Sequence, residues 1–154
     1  MNRIRPLAFG ILFIILGVPY SAGASLGGDL SSVHDDQMKM QGTLRTTSRE
    51  AYDVHEIQSP GGVTLREYVS RSGNVFGLSW QGRSHPDLHQ VLGSYYDAYV
   101  QGVQAQRAAR HGHGPLLIQQ PGLTIQIGGH MRSLVGKAYL PQALPAGIRP
   151  EDVQ

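Results

Sequence analysis

Two glycine-bearing turns, Pro60-Gly61-Gly62 and Ser72-Gly73, stand close together and separate stretches rich in β-formers. Turns this short fold the chain back on itself, so the flanking segments can pair only as antiparallel neighbours. The segments are Tyr52–Gln58, Val63–Ser70 and residues 75–81. A three-residue loop at the first turn pairs Ser59 with Val63, which sets Glu56 opposite Arg66, His55 opposite Glu67 and Val54 opposite Tyr68. A two-residue turn at the second sets Val69 opposite Phe76, Glu67 opposite Leu78 and Leu65 opposite Trp80. Side chains alternate along a strand. One face therefore carries Ile57, Val63, Leu65, Val69, Phe76, Leu78 and Trp80, while Glu56, Thr64, Arg66, Tyr68, Ser70, Ser79 and Gln81 take the other, a face that can meet water.

After this run the period changes. Between residues 86 and 110 the apolar positions Leu88, Val91, Leu92, Tyr95, Tyr99 and Val103 form one stripe at helical spacing. Pro86 suits a helix start and Gly112 its stop. Residues 116–119, 123–128 and 132–140 read as three further strands, with Pro121-Gly122 as the first turn between them. Residues 29–40 suit a short helix capped by Asp29 or Ser31 and closed by Gly42. The tail, with Pro141, Pro145 and Pro150, reads as extended or as a short turn. The expected class is α+β: an antiparallel sheet of about six strands in two three-strand runs. One long amphipathic helix packs on its apolar face, and a short N-terminal helix is added.

The first 24 residues do not belong to that domain. Arg3 and Arg5 precede an uncharged stretch over residues 7–18, Pro19 ends it, and Ala22-Gly23-Ala24 supplies small residues for a signal peptidase. The stretch is shorter than the roughly 20 apolar residues a spanning helix needs. The expectation is a signal peptide over residues 1–24 and a single domain over residues 25–154. The product is then periplasmic or secreted, with no membrane span after cleavage near Ala24 and Ser25. Losing Arg3 and Arg5 leaves eleven basic and eleven acidic residues. That balance removes the electrostatic case for nucleic acid. Cysteine is absent, which excludes disulfides, thiolate metal sites, thiol nucleophiles and a lipidated N-terminal cysteine.

Two groups of side chains carry what chemistry there is. In the register above Glu67 falls in the middle of the apolar face, beside His55. A carboxylate there must be paired or protonated, and a protonated His55 or an arginine such as Arg132 would pair it. His55 and Glu67 are thus a possible buried acid–base pair. An edge position or a register slip of one residue would instead leave Glu67 in water.

The second group is histidine. His85 and His89 have metal-ligand spacing, but Pro86 biases His85 away from helix. His111-Gly112-His113 follows the long helix, and His130 follows Gly128-Gly129, with Arg132 two residues on. Glycine lets a ligand approach closely, so His113, His130 and Arg132 form a speculative functional surface. The same pattern also suits a hydrogen-bonded loop. No HExxH, GxSxG, Walker A or GxGxxG motif occurs. Tyr95 and Tyr99 belong to the core stripe; only Tyr96 leans away from it.

Several segments together resemble the bacterial exported family catalogued as domain of unknown function 2844. They are Ser25-Leu26-Gly27-Gly28, Val54-His55-Glu56-Ile57, Leu65-Arg66-Glu67-Tyr68-Val69-Ser70, and Pro86-Asp87-Leu88 with Leu92-Gly93. Gly112-His113-Gly114-Pro115-Leu116, Gly128-Gly129-His130-Met131-Arg132 and Leu140-Pro141 complete the set. The resemblance spans almost the whole chain after the leader. It implies a small Gram-negative protein with a leader, and brings no activity, catalytic residue or cofactor. The sequence reading is a non-enzymatic periplasmic or envelope module that binds an envelope protein, a glycan or a small ligand. The alternative is a histidine-based metal binder or hydrolase, which convergence of His113, His130, Arg132 and Glu67 would favour.

Overall fold

A computed structural model describes residues 25–109 and 114–154. The expected leader, His111 and His113 lie outside these residues. Among the described residues the elements are α1 (Leu30–Met40), β1 (Thr43–Ser48), β2 (Tyr52–Gln58), β3 (Val63–Ser70) and β4 (Val75–Gly82). They continue with α2 (Leu88–Leu92), α3 (Tyr96–Ala109), β5 (Leu116–Gln120), β6 (Leu123–His130) and β7 (Ser133–Tyr139). The strands make one seven-stranded sheet in the order β1-β2-β3-β4-β7-β6-β5. Every neighbouring pair is antiparallel. The fold is α+β, and the two expected runs join edge to edge through β4 and β7. Among the described residues no helix is long and apolar enough to cross a membrane.

The first hairpin keeps the expected register: Glu56 pairs with Arg66, His55 with Glu67 and Val54 with Tyr68. The second hairpin does so only in part. Glu67 faces Leu78 and Leu65 faces Trp80, but Val69 pairs with Val75 and Tyr68 with Gly77. This bulge leaves Phe76 as the extra residue. Its ring joins Tyr68, Tyr139 and Val153 on the second face instead of the helix-covered face. The strand count also rises from six to seven. β1, Thr-Leu-Arg-Thr-Thr-Ser, is an edge strand with no buried residue, so no apolar alternation announces it.

The single long helix is broken. α2 ends at Gly93, whose φ of 48° is left-handed, and a 3-10 turn over Gly93–Tyr95 leads into α3. Only glycine takes that conformation without strain. The seat is also shared. α1 packs toward β2 and α3 toward β5, with Val91 and Leu92 of α2 in the same core as Leu65, Leu78 and Trp80. α3 comes close because Gly102 has no side chain. A Cβ there would lie 2.3 Å from Ile118 Cγ2. α1 starts at Asp29, whose carboxylate accepts from the Ser31 amide at 2.8 Å. It ends on Gln41 in the left-handed region, one residue before the expected Gly42.

The sheet's second face is only partly covered. Val153 is buried against Gly77, and the Gln154 amide donates to the Tyr68 hydroxyl at 3.0 Å. The tail contains short 3-10 turns at Pro141–Ala143 and Pro150–Asp152. Beyond its reach, the described residues leave the face over β5, β6 and β7 open.

Candidate functional site

Two places gather polar chemistry, one on each side of the sheet. On the helix-covered side Glu67 is fully buried in the middle of β3. Neither a slip nor an edge position relieves it. His55 stands opposite in the ladder and is buried too, but its Nδ1 lies 3.0 Å from Thr46 Oγ1 of β1. Glu67 Oε1 instead accepts from Ser25 Oγ at 2.5 Å. Its second neighbour is Asp36 of α1, also fully buried, whose Oδ1 accepts from Gln90 Nε2 of α2 at 2.6 Å.

The remaining oxygens, Glu67 Oε2 and Asp36 Oδ2, have no donor among the described residues. Burial pushes the Glu67 carboxyl up to about 8, and the Asp36 charge adds to the rise against the Ser25 hydrogen bond. Burial raises Asp36 as well, partly offset by Gln90. Two carboxyls side by side in a dry site cannot both ionise. They share one proton at neutral pH, and that proton is the donor their free oxygens lack. Burial holds the His55 imidazole below its ordinary value, which favours the neutral ring. Arg132 takes no part, since it occupies the exposed β6–β7 turn with a φ of 67°.

That turn separates the histidine surface from the carboxyls. Arg132 does not lie on a strand sharing a face with His130. His130 ends β6 and pairs with Ser133, leaving Met131 and Arg132 as a two-residue loop. His130 is exposed, its Nδ1 3.3 Å from the Met131 carbonyl. Thus His130 and Arg132 lie together at one turn, while Glu67 is buried under α1. His85 precedes α2 and accepts from Trp80 Nε1 at 3.0 Å. His89 packs edge-on against Tyr96. No group of three or more metal-ligating side chains suited to an ion occurs among the described residues.

The second place is a groove of about 520 Å³ on the open face of β4, β7, β6 and β5. Its lining includes the apolar Leu117 and Val135, the polar Gln126 and Ser79, and Val153 and Gln154 of the tail. Two cations border it. Arg66 is held by Glu56 at 2.8 Å, and Lys137 donates to the Pro150 carbonyl at 2.9 Å. No Asp, Glu or His side chain is among the groove's described lining residues. Its one hydroxyl, Ser79 Oγ, lies 3.3 Å from the Tyr68 hydroxyl. A shallower cleft lined by Arg83 and Arg132 shares Gln81 and Val135 with the groove and extends it toward the β6–β7 turn.

Sequence reasoning missed the groove, because its residues come from five strands whose order was unread. Only the alternation of Leu134, Gly136 and Ala138 with Val135, Lys137 and Tyr139 hinted at two differently used faces. Asp36 had a plainer signal. It falls at helical spacing with Val33 and Met40, on the side that α1 buries.

Over residues 22–153 the chain matches the family described as Protein of unknown function (DUF2844). No curated protein and no solved structure matches it.

Proposed function

We propose that this chain, which belongs to the family of unknown function 2844, is an exported, non-enzymatic envelope module that binds a small ligand in the groove of its open sheet face. The observation that carries this reading is the groove itself. It has the volume of a small-molecule site, with apolar walls and a few placed polar groups. The ligand it suits has an apolar body and an anionic or hydrogen-bond-accepting end directed at Lys137. Catalysis would need a general acid or base beside the bound molecule. The described lining offers no Asp, Glu or His side chain, and its lysine is engaged with a backbone carbonyl. Export rests on the leader pattern of residues 1–24.

The test uses anilinonaphthalene sulfonate, which joins an apolar ring system to an anion. Saturable one-to-one fluorescence enhancement is expected, and it should be lost in Val135→Glu and Leu117→Glu. Both positions are exposed, so the fold should tolerate the changes. Enhancement that persists in both variants, or none in the native protein, overturns the groove as the binding site.

A further inference from the structure

The start of the described chain is built into the core. Ser25 and Leu26 are both buried. The Leu26 amide donates to the Val91 carbonyl at 3.0 Å and the Gly27 amide to the Val75 carbonyl at 2.9 Å. Ser25 is therefore held between α2 and β4, with its hydroxyl on Glu67 at 2.5 Å. Covalent geometry keeps a serine nitrogen within about 4 Å of its own Oγ. The Ser25 nitrogen is thus at most about 6–7 Å from Glu67 Oε1, and in the same cluster Glu67 Oε2 and Asp36 Oδ2 have no donor among the described residues.

We propose that Glu67 and Asp36 form the receiving site for the α-ammonium group of Ser25, a group that exists only after the Ala24–Ser25 bond is cut. The inference rests on the leader reading above. Hydrolysis breaks the C–N bond. The water oxygen joins the Ala24 carbonyl carbon, and the Ser25 nitrogen gains a hydrogen and then a proton. A buried ammonium without a counter-ion is costly, and here the counter-charge is already in place. Three N–H donors meet two waiting carboxyl oxygens, and the carboxyls no longer need to keep a proton between them. Other polar and charged groups near the cluster are Gln90 from α2, and Asp35 and Lys39, which act on Asp36 from its own helix. His55 faces Glu67 from β2, with His34 of α1 near that ring. Because Ser25 is buried in the folded domain, the cut precedes folding and the domain closes over its new end.

The experiment starts from a chain prepared to begin at Ser25 by removal of an N-terminal fusion. It is compared with the same chain acetylated at Ser25 and with one that begins at Ala24. The free Ser25 form should melt several degrees above the other two. Its α-amino group, followed by 15N NMR, should titrate above the ordinary range of about 7.7–8.0. Glu67→Gln with Asp36→Asn should erase both differences; should that variant not fold, the titration of the native chain decides alone. Equal melting of the three forms together with an ordinary α-amino titration overturns the proposal. Intact mass of the exported protein checks the leader separately. A pinned Ser25 in the prepared chain, with an exported product that starts elsewhere, sinks the leader reading and with it any use of the site in the cell.

Discussion

Glu67 of β3 takes its hydrogen bond from Ser25, 42 residues earlier in the chain, and not from His55 directly across the ladder. That choice ties the first described residue to the middle of the sheet. Asp36 and Gln90 extend the tie to α1 and α2, so one buried polar cluster joins four separate parts of the chain. Such a cluster fixes how the helices lie over the sheet, at the cost of burying two carboxyls.

The cluster makes stability depend on pH. Glu67 is raised from 4.5 in the unfolded chain to about 8 in the fold, and Asp36 is raised as well. The folded state therefore binds more protons at this pair, so the pair's contribution to stability is greatest below about pH 4.5 and falls as pH rises toward 8. At about 1.4 kcal/mol per unit, the loss from Glu67 is on the order of several kcal/mol. This holds for a chain whose Ser25 nitrogen remains in a peptide bond. Urea midpoints of that form at pH 5 and pH 8 should differ clearly, and Glu67→Gln should flatten the difference. A flat profile in the unmutated form would contradict the shared proton.

Leu92 sits fully buried where α2 meets the sheet, whereas Gln101 of α3 faces solvent. Leu92→Ala should cost about 2–5 kcal/mol, and Gln101→Ala should stay within about 0.5 kcal/mol. Chemical denaturation of the two variants checks this. Equal costs would mean the helical face is wrongly assigned.

What the sequence disclosed follows the range of the forces involved. The Gly61-Gly62 turn is local, and it set Glu56 against Arg66 and His55 against Glu67 without knowledge of the rest of the fold. The Phe76 bulge was not local. Phe76 turns because Tyr52, Tyr68 and the distant Val153 make an apolar site for it on the second face. β1 escaped notice because its only apolar side chain, Leu44, is half-buried beside Ile57. The break at Gly93 was hidden by a stripe that keeps its period on both sides. The carboxyl at Glu67 was legible as an anomaly, but its partners lie 42 residues away at Ser25 and on α1, beyond anything spacing can report.

Gly102 is a second place where close packing can be measured. A Cβ there would come within 2.3 Å of Ile118 Cγ2, whereas one at Gly61 would meet only Ser59 Oγ at 3.6 Å. Gly102→Ala should therefore destabilise by about 1–3 kcal/mol through overpacking, despite alanine's better helix propensity. Gly61→Ala should be nearly neutral. A stabilising Gly102→Ala would show that α3 rides free of β5.

The histidines set packing against metal chemistry. Among the described residues His55, His85 and His89 are each occupied by a neighbour: Thr46, Trp80 and the Tyr96 ring. His130 stands exposed at a turn next to Arg132, whose charge repels a cation. Zinc or copper added to metal-free protein should leave the melting temperature nearly unchanged. A ligand at a thousandfold its Kd stabilises by about 4 kcal/mol, several degrees in a domain of this size. A shift that large, abolished by His113→Ala with His130→Ala, would place a metal at the β6–β7 turn and make the groove beside it the approach for a metal-bound anion.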